Sequence, residues 1–187
     1  FQEPATSRKG KPRVAVVAGH LGEFLQGRCG PRGEIALITL PCPVLRATAA
    51  HRPGPFTLHQ PQAVLGRARA VRFLRLLKLP VSGRFVLKLD MPPGGGAGAS
   101  TAALVALARA AGAQEERIAA ACLAVEGASD PLMFAEPGRL LWASRAGRVF
   151  AEQPPLPRMD VLGGFYGPPL RTESKDDRFP VIDDLLS

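Results

Sequence analysis

Between Asp90 and Gly112 the chain reads DMPPGGGAGASTAALVALARAAG. Four of the five residues from Gly94 to Gly98 are glycine. Each glycine that is ordered in a fold costs backbone entropy, so such a cluster needs a reason. The segment before it, RFVLKLDMP, alternates Phe85, Leu87 and Leu89 with polar neighbours, as a half-buried strand does. The segment after it has helical spacing from about Ser100 to Ala111, and Gly112 suits the left-handed residue that ends a helix. The order is therefore strand, glycine loop, helix. With no Cβ in the way, the loop's N–H groups can crowd around an oxyanion. The helix adds its free N-terminal N–H groups and about half a unit of positive charge. Ser100 and Thr101 stand where a side chain caps the helix or binds a phosphate-chelated metal. The loop is not a Walker A motif, because Ala99 stands where that motif needs lysine. It is not the dinucleotide fingerprint either, because no parallel βαβ unit surrounds it. The competing explanation is a tight strand-to-helix turn with close packing.

The remaining composition narrows the class. A chain of 187 residues, 46% of them apolar, can bury the core of one ordinary domain. Its apolar runs are too short to span a membrane. The first eleven residues, FQEPATSRKGK, lack the apolar core of a signal peptide. Cys29, Cys42 and Cys122 are odd in number and far apart, which argues against a disulfide framework and a zinc site and for reduced thiols in the cytoplasm. The net charge of +8 is carried mostly by arginine and is compatible with nucleic acid, an acidic surface or an anionic small ligand. The aromatic residues that stack on bases are scarce and are not interleaved with the basic ones, so nucleic acid is the weakest of the three.

Apolar and β-branched runs predict a strand at Val14–Val17, stopping at Gly19, and a second at Glu34–Val44, ended by Pro41 and Pro43. RCGPRG between them reads as a hairpin turn. HRPGPFTLHQ is loop with a short strand. The segment from Val64 to Lys78 is a basic amphipathic helix ended by Pro80, with Arg67, Arg69, Arg72 and Arg75 on a solvated face. QEERIAAACLAVEG is another helix, with Glu115 and Glu116 in its first turn, where the dipole favours acids. RLLWAS and GRVFAE read as a hairpin, DVLGGFYGPP as a short strand, and FPVIDDLLS as the opening turns of a helix. Strands and helices are interspersed without a βαβ rhythm, so the expected class is α+β. Glu126 and Asp130 lie four apart at a helix end and turn, a spacing at which one carboxylate can hold Mg²⁺ while the other orients or deprotonates a hydroxyl.

PPGGGAGASTAA is similar to the second motif, P-x-G-x-G-L-G-S-S-A-A, of the GHMP kinase superfamily. The register gives Pro92, Gly94, Gly96, Gly98, Ser100 and Ala102; Ala97 and Ala99 replace the common Leu and Ser. AGHLGEFLQG, Ala18 to Gly27, resembles the first motif in the G-E-L-x-Q-G form, found in the branch of L-threonine kinases of cobalamin synthesis and propanediol-utilization proteins. EIALITLPCPV and VLGGFYGPP resemble later segments of that branch, so the likeness covers roughly residues 14 to 170. It implies a GHMP N-terminal domain, an α+β fold with a mixed sheet packed by helices, over residues 13–170. A polar tail at 1–12 precedes it. Residues 171–187 are a linker and the start of a C-terminal domain, whose G-x-G-G-G motif is absent after Leu170. A lone N-terminal half would expose an apolar face and form a homodimer.

The resemblance further implies phosphoryl transfer from ATP with Mg²⁺ to a small alcohol, L-threonine in this branch. Pro92, Gly94, Gly95, Gly96, Ala97, Gly98, Ala99, Ser100 and Thr101 would bind the nucleotide. Ser100 and Glu126 would hold the metal, and Asp130 would contact the acceptor hydroxyl. His20, Gly22, Glu23 and Gln26 would line the acceptor pocket, His20 falling where many members carry Lys or Arg. Two alternatives stay open: a non-catalytic ligand-binding or regulatory module of the same fold, and a basic nucleic-acid-binding module using the helix at Arg67–Lys78.

Overall fold

The computed structural model describes residues 11–168 and 178–183. Most of the expected polar tail, the 171–177 part of the expected linker, and residues 184–187 lie outside the described residues. Six strands form one mixed sheet: β1 (Arg13–Cys29), β2 (Glu34–Arg52), β3 (Thr57–His59), β4 (Arg84–Leu89), β5 (Leu140–Ala143) and β6 (Arg148–Glu152). The order is β3-β4-β2-β5-β6, with β1 antiparallel to β2. Among the six strands of the described residues only the β3–β4 pair is parallel, which makes the sheet mixed. Three helices, α1 (Arg67–Leu76), α2 (Ala99–Ala111) and α3 (Glu115–Glu126), complete the α+β fold.

Side-chain alternation decides which face of the sheet is covered. In β4, Phe85, Leu87 and Leu89 are buried while their neighbours are not. In β1, Val17 is buried, while Val14 and Val16 stay exposed. The inward set packs against α2, whose residues from Thr101 to Ala108 are all buried. A helix apolar on every side has to be enclosed, and α2 lies between β1, β2 and β4 on one hand and α1 and α3 on the other. Among the described residues no helix is long and apolar enough to cross a membrane.

The turn at RCGPRG, the strand Arg84–Leu89, the helix ending at a left-handed Gly112 (φ 85°), and the β5–β6 hairpin all stand where the sequence put them. Three expectations need correction. The first strand does not stop at Gly19 but runs on to Cys29, so the first motif lies on a strand and not in a loop. Its pairing with β2 shifts register between Ala18 and Gly19 and again around Glu23, irregularities that let a glycine-containing segment stay extended. The second strand likewise passes Pro41 and Pro43 and ends at Arg52. On its other edge, β2 pairs with β5 only at Ala36 and Leu37 and with β4 only from Ala47. Both prolines fall in the gap, where a missing N–H breaks no ladder on that side. Residues 160–168 form no regular element. Of FPVIDDLLS, residues 184–187 lie outside the described residues; within the described part Val181 makes a parallel bridge with Arg28, and Ile182 is buried in a small cluster with Cys29, Ala36, Ile38 and Leu141.

Candidate active site

The glycine loop joins the C-terminal end of β4 to the N-terminus of α2 and is pressed against β1. The N–H of His20 donates to the Ala97 carbonyl at 3.2 Å. A Cβ on Gly19 would stand 2.5 Å from that same carbonyl oxygen, so the close approach of strand and loop requires a glycine there. Gly98 is constrained twice over. Its φ is 68°, in the left-handed region, and a Cβ would lie 2.6 Å from His20 Cδ2 and 2.7 Å from Leu132. The helix that follows has no side-chain cap at its N-terminus, and the first bond back into the loop is from the Ala102 N–H to the Gly98 carbonyl. The N–H groups of Ala99, Ser100 and Thr101 are thus in the orphan positions of a helix start.

The loop just before them borders an open space. A cavity of about 280 Å³ is lined by Gly95, Gly96 and Ala97 of the loop, Leu21 and Gly22 of β1, and Gly163, Gly164 and Phe165. A Cβ on Gly96 would meet nothing within 4 Å, so the loop faces free room at that point. The Gly163–Phe165 wall is missed by motif reasoning, which places that segment at the end of the domain without a role.

At the helix start the polar side chains divide into two groups. The first surrounds Glu126, the last residue of α3, whose side chain is 8% exposed. Its carboxylate accepts from Thr101 Oγ1 at 2.9 Å and, by a short bond, from Ser100 Oγ. Arg69 Nη2, from α1, donates to Ser100 Oγ at 2.7 Å and to Glu126 Oε1 at 2.5 Å. Burial pushes the Glu126 carboxyl up from its ordinary value, and the Ser100 and Thr101 hydroxyls and Arg69 oppose that push without cancelling it. The expected solvated face of α1 is therefore corrected at Arg69, which reaches inward. No spacing signal marks it, because it sits in the same basic run as Arg67 and Arg72.

The second group is His20, Glu23 and Asp130, with ligand-type atoms all within 4.8 Å of one another. His20 is 3% exposed. Its Nδ1 lies 3.3 Å from the Gly22 carbonyl and 3.7 Å from Glu23 Oε1. Its Nε2 is buried without a well-formed hydrogen bond, with Asp130 Oδ2 3.4 Å away. Burial alone would lower the imidazole. Asp130, then Glu23 and the Gly22 carbonyl, outweigh it, so the ring keeps its proton to higher pH than an ordinary histidine. Burial raises the Glu23 carboxyl, against the pull of His20.

Asp130 is fixed by its turn. Gly127 ends α3 with φ 77°. The Ser129 N–H donates to the Ser144 carbonyl at 3.0 Å, and the buried Trp142 Nε1 donates to the Ser129 carbonyl at 2.6 Å. The Asp130 N–H approaches Thr101 Oγ1 at 3.5 Å, which ties the turn to the start of α2. The two groups therefore meet at one helix N-terminus. Of the expected residues, His20, Glu23, Ser100, Thr101, Glu126 and Asp130 converge there, while Pro92 and Gly94 lead into the loop. Gln26 does not join them; it lies farther along β1, opposite Leu37.

No protein-family model matches the chain, and no curated protein does. Among solved structures, it is similar to a mevalonate kinase from methicillin-resistant Staphylococcus aureus, at 14% identity over 73% of this chain and 50% of that one, TM-score 0.42. It is similar to a putative sugar kinase from Campylobacter jejuni at 17% identity over 62% of this chain and 43% of that one, TM-score 0.40. A mevalonate pyrophosphate decarboxylase from Streptococcus pyogenes matches at 12% identity over 63% of this chain and 44% of that one, TM-score 0.39. The chain spans half or less of the length of each. Likenesses of this degree say nothing of what the chain binds or does, so its own residues must carry the function.

Proposed function

We propose that the chain is the nucleotide-binding half of a GHMP-type small-molecule kinase, transferring the γ-phosphoryl group of ATP to a hydroxyl, with L-threonine as the acceptor. One observation carries the proposal: an uncapped helix N-terminus under a glycine loop with a hydroxyl–carboxylate group and a carboxylate–imidazole group side by side. Phosphoryl transfer asks little covalent chemistry of a protein. It needs phosphates held, charge neutralised and a hydroxyl positioned.

The residues present suit both groups the reaction uses. The open side of Gly96 and the free N–H groups of Ala99, Ser100 and Thr101 suit a polyphosphate. Ser100 and Glu126 offer hard oxygen donors of the kind Mg²⁺ prefers and would hold that ion. When bound, Mg²⁺ neutralises charge that develops on the phosphate oxygens. The chain's own residues do the rest. The loop N–H groups orient the phosphates. Asp130 Oδ2 accepts the proton of the acceptor hydroxyl. His20, which Asp130 and Glu23 keep protonated to higher pH than an ordinary histidine, would supply the positive charge that the resemblance assigns to Lys or Arg in many members. Leu21 and Gly22 form the acceptor side of the cavity, and Glu23 stands beside them with His20 and Asp130.

Incubation with MgATP and L-threonine tests the proposal by mass spectrometry for O-phospho-L-threonine. Product is expected from the wild-type chain and its loss from Ser100→Ala and Asp130→Ala. Absence of product from the wild type removes the threonine kinase reading. A second reading, a nucleotide-binding module without transfer, is favoured by one observation, the Arg69 guanidinium on Ser100 and Glu126. Retained MgATP binding with no phosphorylated product supports it.

A further inference from the structure

We propose that Arg69 is a built-in counter-ion of the Ser100–Glu126 position, and that a divalent cation binds there only by displacing it. The inference rests on reading Ser100 and Glu126 as the cation-holding pair. The observation is geometric. One guanidinium nitrogen, Nη2, contacts both the Ser100 hydroxyl and Glu126 Oε1, at 2.7 and 2.5 Å. The positive group thus stands where the two oxygen donors converge. Glu126 is almost fully buried, and an ionised carboxylate so placed requires a positive partner.

The way Arg69 is held makes it displaceable. Arginine binds a carboxylate most strongly through two parallel N–H donors. Here a single nitrogen serves both acceptors, and Arg69 Nε is buried with no acceptor among the described residues. The Arg69 side chain is 38% exposed, so it has solvent to swing into. The helix need not follow it. Arg72, one turn on, donates to the Ala124 carbonyl of α3 at 2.9 Å, and Ala70, Phe73 and Leu74 are buried, so α1 stays docked. The cation requirement of the site would then be set by competition: the weaker the hold of Arg69, the lower the metal concentration that fills the position.

Mn²⁺ without nucleotide is the probe, with the free ion followed by electron paramagnetic resonance. Arg69→Gln is expected to bind one Mn²⁺ at least about tenfold more tightly than the wild type. Adding Glu126→Gln to it should abolish the gain. Equal affinities for the wild type and Arg69→Gln overturn the proposal. So does a gain that survives loss of Glu126, and so does absence of Mn²⁺ binding in every form. A measurement on the wild-type chain guards against a variant that fails to fold. The Arg69 Nε–Hε resonance should move saturably as Mg²⁺ is added, and a resonance that stays fixed overturns the proposal. Neither readout involves ATP. If metal binding fails these tests while MgATP still perturbs the loop, the displacement is wrong and the nucleotide reading stands. If ATP does not bind, the nucleotide reading fails on its own.

Discussion

His20 lies beneath the glycine loop with carboxylates at both ring nitrogens, and its titration reports the whole acceptor side of the site. Its folded pKa is raised above the ordinary value of about 6.5. The folded state therefore binds this proton more tightly than the unfolded state does. The stability it contributes is complete below about pH 6.5 and is lost as pH rises through the folded midpoint. His20→Gln should accordingly cost more stability at about pH 5.5 than at about pH 9, measured by denaturant unfolding; a cost that grows with pH contradicts this. Asp130→Asn should lower the His20 midpoint in an NMR titration, and an unmoved midpoint would detach Asp130 from the ring. Gly98→Ala forces a side chain into the left-handed region and against His20 and Leu132, and should destabilise by about 2–4 kcal/mol. Gly164→Ala, with open space around it, should stay within about 0.5 kcal/mol of wild type. At this scale much of the candidate site was legible, because glycines before a helix and a Glu–Asp pair after one have few uses. Arg69 was not. An arginine in a basic amphipathic run looks the same whether it faces water or a buried carboxylate, and only the docking of α1 on α3 distinguishes the two.

The elements hold the site through contacts remote from it. The turn carrying Asp130 is anchored to β5 by Trp142, whose indole N–H donates to the Ser129 carbonyl. Trp142→Phe removes that donor and leaves a buried carbonyl unpaired. The expected loss is about 1–3 kcal/mol in denaturant unfolding, with a shifted His20 midpoint as Asp130 loosens. An unchanged stability would show that the turn is held otherwise. The helices and short hairpins were readable because each is a local pattern with a local stop: alternation in β4, a left-handed glycine after α2, acids at the start of α3. The two long strands were not readable to their ends. Gly19 and the prolines of β2 are stop signals in isolation, and they lose that force where a register shift or an unpaired edge absorbs them. The bridge of Val181 to Arg28 is likewise a contact across more than 150 residues of sequence, which no local pattern encodes.

For the molecule as a whole, a net charge of +8 acts at a distance. A polyanionic nucleotide should associate more slowly as ionic strength rises from about 0.05 to 0.5 M, with its dissociation rate changed far less. A salt-insensitive association rate would show that the charge plays no steering part. The fold places the uncapped start of α2, the glycine loop and the two polar groups at one end of a single helix, and the account stands on phosphates binding there. The most direct measurement is amide NMR mapping on addition of MgATP. The account predicts saturable shifts centred on Gly95 to Thr101 and weakened by Ser100→Ala. Shifts that bypass the loop and follow the arginines of α1, or no shifts at all, would contradict it.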